Sequence, residues 1–354
     1  MKSLTPLLGA LLLIGCPVPD EGKDDDPIET GEPVDTDTGD TGGDTDTGGD
    51  TDTDTGGGET GDTAEDTGDT AEEVDPVFAA IPGSGDFAQV ADLVATDTAL
   101  YAAGFNASGD AAVVSIDMAT GVVTELYSGD PLVLPSGIAL SDDGTTLYVS
   151  DVASASADGV TNGGVYALAA SGGSPTEIGV SGQIDLPGDI TLALGGTMAY
   201  VSGFTTDGEA AIFEVTLSGG AAAVVHSGDP LVDPLQLDHN FDGTTLYVLD
   251  SLAADGKGTV FAFDTPGFTN TEIHSGFDLN FPGGLGVDGD DAYVYISTIG
   301  APSLLALATD ASGFEVIDTL GLIDMPTGVS ALTDTVYLGE SSGAASTDVF
   351  VLTY

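Results

Sequence analysis

Residues 134–151 read LPSGIALSDDGTTLYVSD. Apolar residues alternate on both sides of Asp142-Asp143-Gly144, where Asp favours the turn through its side chain and Gly through its backbone freedom. Short alternating runs across such a turn mark antiparallel β-strands, and no stretch here carries the 3.6-residue period of a helix. The chain continues with GVYALAA from Gly164 and TEIGVS from Thr176, which supply a third strand and an outer fourth.

The same text returns as LPGDITLALGGTMAYVSG at Leu186, DPLQLDHNFDGTTLYVLD at Asp233, FPGGLGVDGDDAYVYIST at Phe281 and MPTGVSALTDTVYLGE at Met325. A weaker copy, FAQVADLVATDTALYAAG, opens at Phe87. The prolines at 135, 187, 234, 282 and 326 are 52, 47, 48 and 44 residues apart, with Ala88 47 before the first. Four-stranded units at this period are propeller blades, and six of them fill the domain. The last unit ends after its third strand, at 348–354, whereas VFAAIPGSG at 77–85 is similar to the outer-strand ends AVVHSG and TEIHSG. The N-terminal strand is therefore expected to complete the sixth blade, removing the open edges that invite aggregation. The predicted fold is all-β: a six-bladed propeller of four-stranded blades over residues 76–354.

N-terminal to it, residues 20–75 are almost wholly Asp, Glu, Thr and Gly. Nothing there can be buried to offset the entropy of ordering, so a disordered, self-repelling linker is expected. The 59 residues of 17–75 have a mean reach of about 40 Å as a flexible chain. The D-T-D-T alternation lacks the spacing and closing Glu of an EF-hand loop, so it does not read as a calcium site.

Residues 1–15 pair Lys2 with the apolar run LTPLLGALLLIG, shorter than the roughly 20 residues a spanning helix needs. Its end, Leu13-Ile14-Gly15-Cys16, resembles the lipobox of bacterial lipoproteins. That resemblance implies a signal peptide at 1–15, cleavage before Cys16, and lipidation of Cys16 as the membrane attachment, with several acyl chains giving stable anchoring. Pro17 is not the aspartate that commonly retains such proteins at the inner membrane, which points to the outer membrane, facing the periplasm or the outside. Cys16 is the only cysteine, so no disulfide can form within the chain.

Against 59 acidic residues stand three Lys and no Arg, a formal charge of −56. Residues 76–354 hold 36 of the acids and a single strong base, Lys257. Such a surface cannot neutralise phosphates, which excludes nucleic acid as a partner. Anionic headgroups repel it as well, leaving the lipid as the sole hold on a membrane.

The text P-x-G-h-A-h-x-x-D-G-x-x-L-Y-V-S-D, cleanest at 135–151, resembles propellers of the NHL-repeat and gluconolactonase-like superfamily over residues 77–354. In the gluconolactonase branch the resemblance implies a calcium or zinc ion in the central channel, held by carboxylate and amide side chains right after the proline. Here those positions are Ser136, Gly188, Leu235, Gly283 and Thr327. None offers the charged oxygens a hard cation needs.

Acids do fall nearby: Asp189 one residue later, and Asp151, Asp250 and Glu340 at the ends of second strands. These four are the candidate metal ligands, with calcium the cation they suit, or a basic partner loop in its place. The plainer reading is that they cap turns. His226 and His274 share one outer-strand position and read as structural, and Tyr148 and Tyr247 as blade packing. His239, after Asp238 on an inner strand, is the histidine placed to face the channel. No serine elbow, P-loop or dinucleotide fingerprint accompanies it. The sequence thus reads as a non-catalytic binding or scaffolding module meeting a protein or glycan on one propeller face. The alternative is a metal-dependent, lactonase-like hydrolase with its ligands in the channel. The loop at 151–163, longer than a turn requires, belongs with the first reading.

Overall fold

The computed structural model describes residues 77–353 except 85–86, 154–162, 179–181, 278, 280–281, 299–302, 324 and 342–347. The signal sequence, Cys16, the acidic linker and most of the 151–163 loop lie outside the described residues.

The chain enters at β1 (Val77–Ala80) and then builds blades in order. The first is β2 (Gln89–Ala95), β3 (Ala99–Phe105), β4 (Ala111–Asp117) and β5 (Val123–Ser128). The second is β6 (Pro135–Leu140), β7 (Thr146–Asp151), β8 (Gly164–Ala169) and β9 (Thr176–Glu177). The third is β10 (Ile190–Leu192), β11 (Met198–Phe204), β12 (Ala210–Thr216) and β13 (Ala222–Ser227). The fourth is β14 (Pro234–His239), β15 (Thr245–Asp250), β16 (Gly258–Asp264) and β17 (Asn270–Phe277). The fifth is β18 (Pro282–Val287), β19 (Tyr293–Thr298), β20 (Ser303–Ala308) and β21 (Phe314–Ile317). β22 (Pro326–Leu332), β23 (Thr335–Glu340) and β24 (Val349–Thr353) form the sixth, with β1 as its outer strand. All six sheets are four-stranded and antiparallel, and β1 pairs with β24 from Val77↔Thr353 to Ala80↔Phe350. The expected closure by the N-terminal strand is thus observed, and Phe78 stacks on Phe350 at 5.4 Å across it.

One inner-strand position explains how blades adhere. Leu93, Ile138, Ile190, Leu237, Leu285 and Val329 pair with buried second-strand residues and are themselves buried. Each belongs to a different one of six apolar clusters, each joining two neighbouring blades. Tyr148 and Tyr247 are buried in these seams. Burying such side chains stabilises each seam by about 1.5–3 kcal/mol per large residue.

That register also corrects the weakest repeat. The bulge that follows Pro135, which faces Asp151, follows Val90 in β2, which faces Gly104. The first-blade equivalent of the proline is therefore Val90, two residues beyond Ala88. With no proline to mark it, the repeat text alone slides.

Candidate functional site

The inner strands run from their prolines at one end of the channel to a tight turn at the other. Near the start, three serines from second strands reach across to the next blade. Ser150 donates to the Gly188 carbonyl at 2.6 Å, Ser202 to that of Leu235 at 2.9 Å and Ser297 to that of Thr327 at 2.6 Å. All three are fully buried. The residue after each of those prolines is thus held by blade-to-blade hydrogen bonds.

One step on, backbones approach so closely that a side chain cannot fit. A Cβ on Gly328 would lie 2.5 Å from the Cα of Asp92, and one on Gly137 would lie 2.8 Å from the Cα of Asp189. Glycine here serves close approach. The room it leaves is filled by neighbouring carboxylates: Asp189 Oδ1 would sit 2.5 Å from a Gly137 Cβ.

Toward the turn end the channel widens into a pocket of about 210 Å³. Asp92, Asp189 and Asp238 line it, with apolar walls that include Val94, Leu140 and Leu192. Each carboxylate accepts a backbone N–H from the blade that follows. Asp92 Oδ2 takes Ile138 N–H at 2.9 Å, Asp189 Oδ2 takes Leu237 N–H at 3.1 Å, and Asp238 Oδ2 takes Val287 N–H at 3.0 Å. Ser330 continues the pattern, its hydroxyl accepting Ala95 N–H at 3.0 Å. Asp238 also accepts from the Thr191 hydroxyl at 3.1 Å.

Burial dominates the electrostatics of this trio. Removal from water pushes Asp92 up to about 7, opposed by the N–H groups of Ile138 and Leu93 and a hydrogen bond shared with Asp189. Burial raises Asp189 well above the usual carboxylate range, and the charge of Asp92 adds to it. Burial raises Asp238 too, with His239 working against it. Adjacent desolvated carboxyls resist ionising together, so the charge of Asp92 helps to hold Asp189 in its protonated form.

The sequence-derived candidates fall into two places. Asp189 joins the channel trio. Asp151 and Asp250 lie opposite Pro135 and Pro234 at the other end of the inner strands, and Glu340 lies opposite Pro326. Asp151 accepts N–H groups of Val133, Leu134 and Ala153 at 2.8–3.1 Å, and Asp250 those of Val232, Asp233 and Leu252 at 2.7–3.0 Å. They pin the loop that feeds each inner strand. Asp92 was hidden by the slipped repeat. Asp238 was visible only as the neighbour of His239, which does line the pocket. His274 Nε2 meets the Ala308 carbonyl at 2.9 Å and His226 lies edge-on to Phe263, both on outer strands.

Among the described residues no three His, Cys, Asp or Glu side chains gather closely enough to hold a metal. A hard divalent cation takes six to eight oxygens, several charged. The channel carboxylates, turned to backbone N–H groups, do not fit that requirement as placed.

No protein-family model and no curated protein matches the sequence. Solved structures match as folds. A gluconolactonase from Xanthomonas campestris aligns over 79% of this chain and 90% of its own, with 12% identity and a TM-score of 0.58. A protein of unknown function from Bacteroides thetaiotaomicron aligns over 79% and 76%, with 16% identity and a TM-score of 0.57. A chain of a nidogen/laminin complex aligns over 69% and 85%, with 16% identity and a TM-score of 0.55. The chain therefore shares the six-bladed propeller fold with enzymes and with binding proteins alike, and fold alone does not assign function.

Proposed function

We propose that the chain is a lipid-anchored protein of the bacterial cell envelope whose propeller is a non-catalytic binding module, working through the channel face that carries the pocket. The observation behind this is that each channel carboxylate is engaged by a backbone N–H of the next blade. Groups so held are acceptors in a wall; a general base or a metal ligand needs its oxygens turned toward substrate or ion. The same face exposes Phe241 and Leu194, which are 79% and 69% accessible, on the turns of two adjacent blades. Exposed apolar groups beside a concave site suit a protein or glycan partner.

Anchoring rests on the lipobox at Cys16, with the acidic stretch behind it holding the propeller clear of the headgroups of, we infer, the outer membrane. Labelled palmitate incorporated into wild type and absent from Cys16→Ser, which also leaves the membrane fraction, is the expected result. Unchanged fractionation of Cys16→Ser overturns the anchor.

The second reading, a lactonase-like hydrolase using calcium, is favoured by one feature: buried carboxyls with displaced proton affinities cluster at functional sites. Lactone turnover by the full chain with and without calcium separates the two. No turnover above background, together with binding to envelope material that weakens in Phe241→Ser, supports the module. Calcium-dependent turnover lost in Asp189→Asn overturns it.

A further inference from the structure

The outer strand of a blade has an open edge, and charged side chains there discourage pairing with other chains. Following the row of Leu93, Ile138, Ile190, Leu237, Leu285 and Val329 outward through each sheet leads to Glu125, Glu177, Val224, Glu272, Val316 and Ala80 on the outer strands. An exposed glutamate thus guards the edge of the first, second and fourth blades.

The fifth blade lacks that guard. Val316 is 60% exposed, and Phe314, two residues earlier and so on the same side of β21, is 55% exposed. The third blade has Val224 in the row, but with Ala222 two residues before it. The Phe314 ring lies 5.4 Å from that of Phe277 and 6.4 Å from that of His274, so this side of β21 looks toward the outer strand of the fourth blade. The backbone adds a second feature. Ala308 N–H donates to the Gly313 carbonyl at 2.9 Å, and hydrogen-bonded pairs alternate along an antiparallel ladder. Glu315 and Ile317 therefore turn their backbone groups to β20, and Phe314 and Val316 turn theirs outward. Among the described residues β21 pairs with β20 alone. The residues that expose apolar side chains are the same two whose N–H and C=O groups face away from the sheet.

These two features together select the occupant. Lipid or glycan could cover Phe314 and Val316, but neither offers alternating N–H and C=O groups at strand spacing; an extended polypeptide offers both. Charge narrows it further. Glu315 stands between the two apolar residues, Asp310 lies in the turn before them and Asp318 follows, all exposed. No Lys or Arg occurs anywhere after Lys257. A basic segment is complementary to this edge, whereas a second copy, with a formal charge of −56 of its own, is repelled.

We propose that the open edge of β21 receives an extended segment of a protein partner as a fifth strand of the fifth blade. Its alternate residues are apolar, lying over Phe314 and Val316, and those between them are Lys or Arg, lying beside Glu315. This edge is on the outer rim of the fifth blade and not in the channel, so the proposal goes beyond the reading of the channel face and stands independently of it.

The experiment is calorimetric titration of the full chain, carrying Cys16→Ser so that no acyl chain contributes, with the peptide acetyl-Lys-Val-Lys-Val-Lys-Val-amide. It is run in about 150 mM sodium chloride, where exposed charges more than about 8 Å apart are largely screened. Saturable binding is expected. Adding Val316→Glu, which places at this edge the residue that three other blades carry, is expected to weaken it tenfold or more. Val224→Glu, the same change on the third blade, and Phe241→Ser on the channel face are expected to leave it unchanged. Proline in place of the middle valine keeps the peptide's charge but removes an N–H, and is expected to cost tenfold as well. No saturable binding, equal loss in Val316→Glu and Val224→Glu, or undiminished binding of the proline peptide overturns the proposal. A dimer of the chain alone that Val316→Glu dissociates overturns it in favour of a second copy. Phosphatidylcholine vesicles that bind the chain until Val316→Glu is made overturn it in favour of lipid.

Discussion

The Asp92 carboxylate on the first blade takes the Ile138 N–H of the second at 2.9 Å, at a residue that is itself buried. That bond stitches adjacent inner strands where no sheet ladder connects them. Asp92→Ala leaves the N–H buried and unpaired and is expected to cost about 1–3 kcal/mol. Asp92→Asn keeps an acceptor and costs less. Urea unfolding of the two variants provides the comparison.

Asp92 also sets a pH dependence. Its carboxyl rises from 3.8 to about 7 on folding, so the fold retains a proton the unfolded chain has lost. The stability this confers is fully present below pH 3.8 and is lost as pH climbs through about 7. Each tenfold change in proton affinity is about 1.4 kcal/mol, worth roughly 2–4 °C of melting temperature in a large domain. Wild type is therefore expected to lose melting temperature relative to Asp92→Asn between pH 4 and pH 7; parallel profiles would refute the assignment.

Gly328→Ala places a methyl group 2.5 Å from the Cα of Asp92. Neither backbone can yield without opening the ring, so a loss of about 1–3 kcal/mol or more is expected. Gly109→Ala, where a Cβ meets nothing within 4 Å but φ is +82°, costs only local backbone strain, roughly 1–2 kcal/mol. Melting curves rank the two.

Asp250→Ala strips the acceptor from three loop N–H groups, and a loss of about 1–3 kcal/mol is expected. At exposed Asp207 the same change stays within about 0.5 kcal/mol. If calcium added to both leaves the difference unchanged, Asp250 is a loop clamp; calcium stabilisation present in wild type and lost in Asp250→Ala makes it a ligand.

Much of this architecture is written in the chain. The recurring proline, the Asp-Gly turns and the Tyr-centred text of the second strands place the strands of most blades, because each depends on local geometry that repeats. The pocket is different. Asp92 and Asp189 occupy one register position in two blades of six, Gln236 holds it in a third and glycine in the others. Their meeting depends on ring closure and on how narrowly Gly137 and Gly328 let backbones approach. Neither is a property of any single repeat. The serines two residues after the second-strand tyrosine, Ser150, Ser202 and Ser297, recur in the sequence, but their blade-to-blade partners are carbonyls that any residue supplies.

The manner in which β1 closes the ring has a mechanical consequence. Any pull on the chain ahead of Val77 enters the domain through this strand, which is paired over four residues to β24 alone within its blade. Force arriving there bears on the stacked rings of Phe78 and Phe350 and on the apolar seam they share with the fifth blade. A pull on this strand meets the latch itself, so tension acts first on the seam that makes the ring a ring.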